Sequence, residues 1–358
     1  MPVCCSCKAD QQINKVFAAT IMRQIAIFVT YPEKMSATAK IKAPISKEMR
    51  EFEHYFKQQL NSKIPLLNII TNYLLRRKGK QMRPMLVFLT AKLNGEISTA
   101  SYTAAGLIEL LHTATLIHDD VVDETYQRRG FFSINALWRS KIAVLVGDYF
   151  LSAGLISALK TKQIGVLEVV ADAVREMSEG ELLQIEKSRR LNITEEIYYQ
   201  VIRMKTATLI AACTKAGAYS VNAGEEALHK MQEFGICLGM AFQIRDDLLD
   251  YEKTNLAGKP TGNDLKEKKI TLPLIHVLNQ MSPSERRQTL QTIKRHHKKE
   301  RKIAPIQQMV KERGGIAYAK EKMTEYRDKA LEILYSYPES ETRTALEELV
   351  YFTTTRKL

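Results

Sequence analysis

Apolar side chains recur at three- and four-residue intervals along almost the whole chain from residue 47 onward. The stretch from Leu107 to Val121 shows the pattern, with Leu110, Ala114 and Ile117 between its ends. This spacing places the apolar side chains on one face of a helix, and alternating runs typical of strands are missing. The sequence therefore predicts an all-α protein. The same spacing recurs over residues 141–160, 165–188, 195–220, 225–251 and 270–280.

Residues 1–34 differ from the rest of the chain. They are weakly patterned and lack the continuous apolar segment and cleavage site of a secretory signal. We expect an N-terminal extension there and one helical domain over residues 35–358. An organelle-targeting leader stays an alternative, because acidic residues are scarce before residue 47. No window reaches about 18 consecutive apolar residues, so we expect no membrane-spanning helix.

The five cysteines form no even framework for disulfides, and three of them crowd the first seven positions. Such a set fits a reducing compartment, so we expect the protein in the cytoplasm. No matching His or Cys set lies near the three N-terminal cysteines, and we expect no metal site there.

Positive charge is concentrated near the C-terminal third. Residues 286–302 hold eight Lys and Arg against one Glu, a net +7 within the chain's formal +13. A solvated basic helix is the first interpretation of such a run, and attraction to an anionic membrane surface is the second. Nucleic-acid binding ranks last, because the run has no aromatic side chains to stack on bases.

Two short windows contain most of the aspartates. Six of the eleven lie within residues 119–123 and 246–250, each window has the form DDxxD, and each follows an apolar helical stretch. Side chains four residues apart share one face of a helix, so the first and last Asp of each window point the same way. The middle Asp is rotated by about 100° and is expected to play a different part.

Paired carboxylates without His or Cys suit Mg²⁺, which takes one or two carboxylates and completes its shell with water and phosphate oxygens. Helix ends facing solvent would be the structural alternative, but two copies of one pattern argue against it. Arg and Lys, which bind phosphate oxygens, stand close to both windows in the sequence. The combination predicts diphosphate substrates, two in number, held through Mg²⁺.

Several motifs in order resemble the trans-isoprenyl diphosphate synthases, specifically their polyprenyl branch. The matches cover about residues 70 to 280, more than half of the chain, and the ordered set is specific although no single motif is decisive. They are GKQMRP at 79–84, ELLH at 109–112, HDDVVDETYQRRG at 118–130, VGD at 146–148, SEGELLQ at 178–184, KTA at 205–207, FQIRDDLLDY at 242–251 and GKPTGNDLKEKKITLP at 258–273.

The resemblance implies a large helical bundle around a deep central cavity, with the two aspartate helices facing each other. It implies three Mg²⁺ ions, isopentenyl diphosphate and an allylic diphosphate as substrates, and a homodimer. The implied metal ligands are Asp119 and Asp123 for two ions and, partly through water, Asp246, Asp247 and Asp250 for the third.

The remaining site residues also follow from the resemblance. The isopentenyl diphosphate site would be formed by Lys80, Arg83, His112 and Arg129. The allylic diphosphate would be bound by Arg128, Lys205, Lys259 and Lys269, while the catalytic residues lining the allylic site would be Lys205, Thr206 and Gln243. Two positions depart from the family pattern, because Lys78 and Lys268 stand where related sequences often have Gly.

The implied reaction is a head-to-tail condensation giving an all-trans polyprenyl diphosphate for a quinone side chain. Leu111, Ala114 and Thr115 lie four to eight residues before Asp119, about 6–12 Å below the metals, where they would line the path of the tail. Short-chain relatives tend to block that level with aromatics, so we expect a product of about C30–C50 by this analogy.

Three alternatives stay open. The first is a shorter-chain farnesyl or geranylgeranyl diphosphate synthase. The second is a terpene cyclase, although the complete second cluster and the isopentenyl-site residues argue against it. The third is a non-catalytic subunit of a heteromeric synthase, although retention of all six aspartates and of Arg128 and Arg129 argues against that as well.

Overall fold

The computed structural model describes residues 35–76, 79–128, 130–252 and 263–355, and most of them are helical. The all-α prediction is confirmed. A single 3₁₀ turn, Ala43–Ile45, and a π-helical turn, Arg203–Ala207, interrupt the α-helices. The helices are α1 Met35–Lys42, α2 Ser46–Gln59, α3 Pro65–Leu75, α4 Met82–Asn94, α5 Thr99–Val122, α6 Ile134–Lys160, α7 Ile164–Arg190, α8 Glu195–Ile202, α9 Thr208–Tyr219, α10 Glu225–Leu249, α11 Asn263–Lys266, α12 Leu272–Asn279, α13 Pro283–His296, α14 Glu300–Glu312, α15 Gly315–Tyr335 and α16 Glu341–Thr355.

One small hairpin departs from the helical pattern. Strands β1 (Gln127–Arg128) and β2 (Phe131–Phe132) pair antiparallel, with Gln127 opposite Phe132. Gly130 in the turn has φ of 79°, a left-handed conformation that glycine adopts without strain. Strands of two residues are too short to produce an alternating pattern, which is why the sequence did not indicate them.

Helix α9 packs very closely on α4 and α10 because glycines stand at the contacts. A Cβ on Gly217 would overlap Thr90 of α4, and one on Gly235 would overlap Ala211. A Cβ on Gly239 would lie 2.5 Å from the Cα of Ala207. Such close approach buries α9 almost completely along its length.

The directions of α5 and α10 are fixed by their contacts with α9. At the far end of α9, Ser101 Oγ of α5 lies 2.7 Å from Ser220 Oγ. Thr214 Oγ1 donates to the carbonyl of Met231, which is early in α10, whereas Gly239, late in α10, contacts Ala207. Helix α10 therefore runs antiparallel to α9, and its C-terminal end, which carries the second aspartate window, lies near the π turn. Helix α5 begins at the opposite end of α9, and Glu109, about two turns farther along α5, acts electrostatically on the Cys213 thiol, so α5 also runs toward the π-turn end.

Helix α7 also runs antiparallel to α9 and reaches the same end. Thr208 Oγ1 donates to Glu176 at 2.7 Å, and Gly180 lies against Met204. The C-terminal half of α7 thereby flanks the π turn. Its neighbour α6 packs lengthwise on α5, with Gly147 against His118.

Helix α6 is long and apolar enough to cross a membrane by length and composition alone, and it is the one such helix among the described residues. Core helices of soluble proteins satisfy the same criterion. One face of α6 packs into the bundle, since Ala143, Val146 and Phe150 are buried in the main apolar cluster.

The described residues contain two apolar clusters. The larger one is formed by α2, α4, α5 and their neighbours and includes Phe52, Phe88 and Phe234. The smaller one surrounds the C-terminal end of α10 and is closed by Leu272 of α12 and Ile303 of α14. The second cluster supports the backbone that carries the second aspartate window.

Replacing Gly239 with Ala should destabilise the fold measurably. The added methyl group meets backbone atoms of the π turn, which cannot move aside as a flexible side chain would, so we expect a loss of about 1–3 kcal/mol in the free energy of unfolding. Urea denaturation followed by circular dichroism would measure it.

Gly224→Ala on the same helix is the matched control. No atom lies within 4 Å of the added Cβ, and we expect a loss of about 0.5 kcal/mol from its position at the helix N-cap. Equal losses in the two variants would contradict the close contact between α10 and the π turn.

Candidate active site

The second aspartate window ends α10 with one buried and one exposed carboxylate. Asp246 is exposed, whereas Asp247 is 7% exposed. Gln243 Nε2 donates to Asp247 Oδ1 at 2.9 Å, and the Tyr198 hydroxyl donates to Asp247 Oδ2 at 2.7 Å. Both carboxylate oxygens of Asp247 therefore accept a hydrogen bond, which offsets the cost of burying this polar group, and the bond from Tyr198 joins α10 to α8.

The π turn carries Thr206, a predicted site residue that contacts the predicted Gln243 of α10. Thr206 Oγ1 donates to Gln243 Oε1 at 2.8 Å. Because its NH₂ group is bonded to Asp247, the Gln243 amide is held with its oxygen toward Thr206. The extra residue of a π turn redirects side chains, and such turns are frequent at functional sites. The structure therefore brings Thr206, Gln243 and Asp247 together in one hydrogen-bonded chain.

Two predicted lysines, Lys205 and Lys269, lie beside these hydrogen-bonded residues, and the carboxylate of Glu181 interacts with both. Lys205 Nζ lies 2.5 Å from Glu181 Oε2 of α7, and Glu181 also acts electrostatically on Lys269. Lys269 Nζ lies 2.5 Å from Glu267 Oε2. Burial alone would lower the pKa of Lys269, but the bond to Glu267 and the surrounding carboxylates raise it. Lys269 is therefore positively charged at neutral pH.

Carboxylates crowd together around the end of α10. The backbone N–H of Asp264 donates to Asp250 Oδ2 at 3.2 Å. Burial raises the pKa of Asp247, and the charge of Asp246 raises it further against the effect of its two hydrogen bonds. Burial likewise raises the pKa of Asp264, with added contributions from Asp247 and Asp250. Burial and the neighbouring carboxylates therefore both favour the neutral forms of Asp247 and Asp264 in the absence of a metal ion.

The first aspartate window ends α5 in a similar way. Asp119 and Asp123 are exposed, and Asp120 between them is 7% exposed. Asp123 ends the helix, its N–H bonded to the carbonyl of Asp119 at 2.8 Å. Next to this window, His118 Nε2 lies 3.4 Å from Asp148 Oδ1 of α6. The outer pair of carboxylates is therefore open to solvent and to ligands.

The predicted isopentenyl-site residues lie on α4 and α5. Lys80 is exposed just before α4, with Nζ 4.3 Å from the ring centre of Phe352, a cation–π contact. Arg83 in the first turn of α4 acts electrostatically on the Cys213 thiol in α9, as does Glu109 of α5. His112, half-buried, follows Glu109 by one helical turn. Lys80 and Arg83 thus flank the start of α4.

The predicted chain-length wall lies farther down α5. Leu111 and Ala114 are 3% and 2% exposed and belong to the main apolar cluster. Thr115 is half-buried and its hydroxyl donates to the His112 carbonyl at 2.9 Å. An apolar surface with a small side chain at residue 114 therefore continues from the first aspartate window into the bundle.

Some predicted positions lie outside the described residues, namely Lys78, Arg129 and Lys259. For Arg128 the structure describes the backbone, in β1, and not the side chain. Lys268, the other departure from the family pattern, has φ of 60°. That left-handed conformation favours glycine, which gives a physical reason for a glycine at this position in related sequences.

The donor chemistry of these residues fits Mg²⁺. Among the described residues, no group of three or more His, Cys, Asp or Glu side chains converges closely enough to hold an ion alone. Mg²⁺ commonly binds one or two carboxylates and fills its shell with water and phosphate oxygens, so it suits an exposed pair such as Asp119 and Asp123. A cation beside Asp246 and Asp250 would also offset the crowded negative charge there.

Three residues in this region were not predicted as site residues. Glu181 and Asp264 fall inside the SEGELLQ and GNDLKEKK motifs, so the sequence did contain a signal for them. Tyr198 had none, because its position is typical of the apolar face of an amphipathic helix. Its bond to Asp247 depends on how α8 packs against α10.

Comparisons with known proteins identify the family of this chain. The family model described as polyprenyl synthetase matches residues 64–310. Octaprenyl diphosphate synthase of Escherichia coli (strain K12) is 35% identical over 318 residues, covering 88% of this chain and 98% of the relative. All-trans-nonaprenyl-diphosphate synthase (geranyl-diphosphate specific) of Rhodobacter capsulatus is 33% identical, covering 86% of this chain and 95% of the relative.

Two solved structures are similar over nearly their whole length. A decaprenyl diphosphate synthase from Rhodobacter capsulatus superposes with a TM-score of 0.84 at 32% identity, covering 89% of this chain and 98% of that one. A polyprenyl synthase from Caulobacter crescentus CB15, complexed with calcium and isoprenyl diphosphate, superposes with a TM-score of 0.82 at 31% identity, covering 91% and 100%. The family predicted from the ordered motifs is confirmed: the chain belongs to the polyprenyl synthetase family.

Proposed function

We propose that this prenyltransferase condenses isopentenyl diphosphate head-to-tail with an allylic diphosphate and releases an all-trans polyprenyl diphosphate. The observation that carries the proposal is the hydrogen-bonded chain of Thr206, Gln243 and Asp247, which joins the second DDxxD window to the π turn that also bears Lys205. The relatives named for octaprenyl, nonaprenyl and decaprenyl products support a medium or long chain. A quinone side chain is the use that we propose for it.

Divalent metal ions would be held by the outer aspartates of the two windows, Asp119 and Asp123 on α5 and Asp246 and Asp250 on α10. Bound there, Mg²⁺ supplies positive charge that stabilises the departing diphosphate. The calcium in the Caulobacter crescentus relative supports a divalent ion, and we propose three Mg²⁺ ions per site. Asp247 has both oxygens engaged by protein donors, so its proposed contribution to the metal is indirect, through water.

The chain's own polar groups then act on the two substrates. Lys205, Lys259, Lys269 and Arg128 bind the allylic diphosphate in this proposal. The oxygens of Thr206 and Gln243 face the allylic carbon as its C–O bond breaks and stabilise the positive charge on it. Asp247 and Tyr198 keep the Gln243 amide in that orientation. No protein base is required, since the released diphosphate can accept the proton.

The second substrate is bound without metal. Lys80, Arg83, His112 and Arg129 hold the isopentenyl diphosphate, and the supporting observation is the position of Lys80 and Arg83 around the start of α4 beside α9. Holding both substrates in line raises the effective concentration of the attacking double bond. Arg offers a planar fork and Lys a point charge for the phosphate oxygens.

Assembly and location are further parts of the proposal. Leu145, Ile156 and Leu159 on α6 and Leu182 on α7 are 50–67% exposed, an apolar surface that supports a homodimer. The basic run at residues 286–302 supports peripheral contact with an anionic membrane. We propose a cytoplasmic enzyme whose residues 1–34 precede the helical domain of residues 35–358.

An assay of the purified chain tests the reaction directly. With Mg²⁺, radiolabelled isopentenyl diphosphate and a farnesyl or geranylgeranyl primer, we expect linear polyprenyl products of about C30–C50 on chromatographic sizing. Asp119→Ala and Asp246→Ala should each lower the rate by orders of magnitude, because charge on the leaving diphosphate is no longer offset. Asp172→Ala, an exposed aspartate of α7 paired with Arg175, is the matched control.

The same assay separates the alternatives. Near-normal rates in either active-site variant would contradict the metal assignment. Cyclic products would identify a terpene cyclase, and products no longer than about C20 a short-chain synthase. An inactive purified chain that regains activity with a second subunit would identify a heteromeric enzyme.

Ala114→Phe should shorten the product while turnover continues. The aromatic ring would obstruct the apolar surface below the first aspartate window, at a position where the native side chain is small and buried. Thr113→Phe adds the same ring at a half-buried position rotated by about 100° and should leave chain length unchanged. An unchanged product in Ala114→Phe would show that Ala114 does not line the tail path.

The crowded carboxylates predict a pH dependence of the metal-free protein. The pKa values of Asp247 and Asp264 are raised in the folded state. At a pH above 3.8, the ordinary pKa of an Asp carboxyl group, the unfolded chain has released these protons while the folded protein still holds them. Stability therefore falls as pH rises from about 4 toward neutral pH. Asp247→Asn should reduce this slope, by up to about 1.4 kcal/mol per pH unit.

Chemical denaturation at several pH values measures the effect, and the variant is compared with the parent chain at each pH. Saturating Mg²⁺ with inorganic diphosphate should also flatten the slope of the parent chain, because a bound cation favours the ionised carboxylates. A constant free-energy difference between parent and Asp247→Asn across the range would contradict the raised pKa.

A further inference from the structure

A cleft of about 350 Å³ lies between the C-terminal end of α7 and helix α13, outside the site described above. Four cationic side chains line it, and no carboxylate does. Two leucines, Leu191 and Leu290, complete its floor with apolar surface. The cations are Arg190, Arg286, Arg287 and Lys294. A cleft with this lining fits a phosphate group that carries aliphatic substituents.

Further cations extend the cleft over the corner between α13 and α14. These side chains are exposed, and among the described residues none of them has a carboxylate within 4.0 Å. Two nearby acids form ion pairs: Glu285 is bound to Arg313, and Glu186 lies 3.3 Å from Arg190 of the cleft. The cations of this corner are Arg295, Lys298, Lys299, Arg301 and Lys302.

This basic corner is joined to the second aspartate window. His297 Nδ1 lies 2.6 Å from the carbonyl oxygen of Lys266 in α11. Helix α11 also contains Asp264, whose N–H bonds to Asp250 at the end of α10. Two hydrogen bonds and one short helix therefore connect the basic surface with the acidic end of the site.

We propose that the cleft and the basic corner dock the enzyme on an anionic lipid bilayer, with a lipid phosphate headgroup in the cleft. The proposal rests on the proposed function, since a long isoprenoid tail is insoluble in water and a bilayer dissolves it. Cations spread over two helices match a charged surface better than one small free anion. The absence of aromatic side chains from residues 286–302 disfavours a nucleic acid.

Vesicle co-sedimentation of the full chain tests the docking surface. We expect binding to phosphatidylcholine vesicles that contain phosphatidylglycerol, little binding to phosphatidylcholine alone, and weakening as salt is added. Removing four exposed cations should lower the affinity about tenfold or more while turnover on a short primer stays unchanged. The variant combines Arg287→Ala, Lys294→Ala, Arg295→Ala and Lys298→Ala.

The control removes four exposed cations elsewhere, so its net charge changes equally. It combines Arg50→Ala, Lys57→Ala, Lys63→Ala and Lys160→Ala, and it should bind vesicles as the parent chain does. Equal losses in the two variants would overturn the proposal, because binding would then depend on net charge alone.

Two competitors complete the test. Displacement of the vesicles by inorganic diphosphate at low concentration would reassign the cleft to a free anion, and tighter, cleft-dependent binding of single-stranded DNA would reassign it to a nucleic acid. The assay of prenyltransferase activity tests the proposed function separately. If the purified chain lacked that activity but still bound anionic vesicles through the cleft, the proposed function would fail while the docking surface would stand.

Discussion

The hydrogen-bonded carboxylate of Asp247 is the interaction on which the rest of the site depends. It is buried at the end of α10, and its two oxygens accept from Gln243 on the same helix and from Tyr198 on α8. A buried carboxylate without partners would be costly, so the bond from Tyr198 holds α8 against the end of α10. Through Gln243 the same carboxylate determines which atom of an amide faces Thr206.

The glycines of α7 and α10 allow these helices to pack closely enough on the π turn for those hydrogen bonds to form. Gly239 allows α10 to contact the π turn at backbone distance, and Gly180 does so from α7. The π turn is therefore enclosed between two helices, and Lys205 and Thr206 are each held by a partner, Glu181 and Gln243 respectively. Binding energy then need not be spent on ordering them when a diphosphate arrives. A cation bound among the nearby carboxylates Asp246, Asp250 and Asp264 would offset their negative charge.

Periodicity and local pattern were sufficient to predict the helical fold and the two aspartate pairs. Residues four apart on a helix share a face whatever the tertiary structure, so Asp119 with Asp123 could be paired from sequence alone. The π turn could not, because one extra residue in a helical turn leaves the apolar spacing nearly unchanged. Tyr198 could not either, since its partner is 49 residues away and their contact depends on packing.

Helix α5 carries both the first aspartate window and the residues expected to limit the length of the product. Its C-terminal turn presents Asp119 to solvent, while Ala114 and Leu111, five and eight residues earlier, are buried in the main apolar cluster. A helix rises about 1.5 Å per residue, so the separation between the first aspartate and this wall is set by the backbone. Side-chain volume at residue 114 can therefore change without displacing the carboxylates. Family members with different products can on this basis keep the same reacting centre and differ in the apolar surface below it.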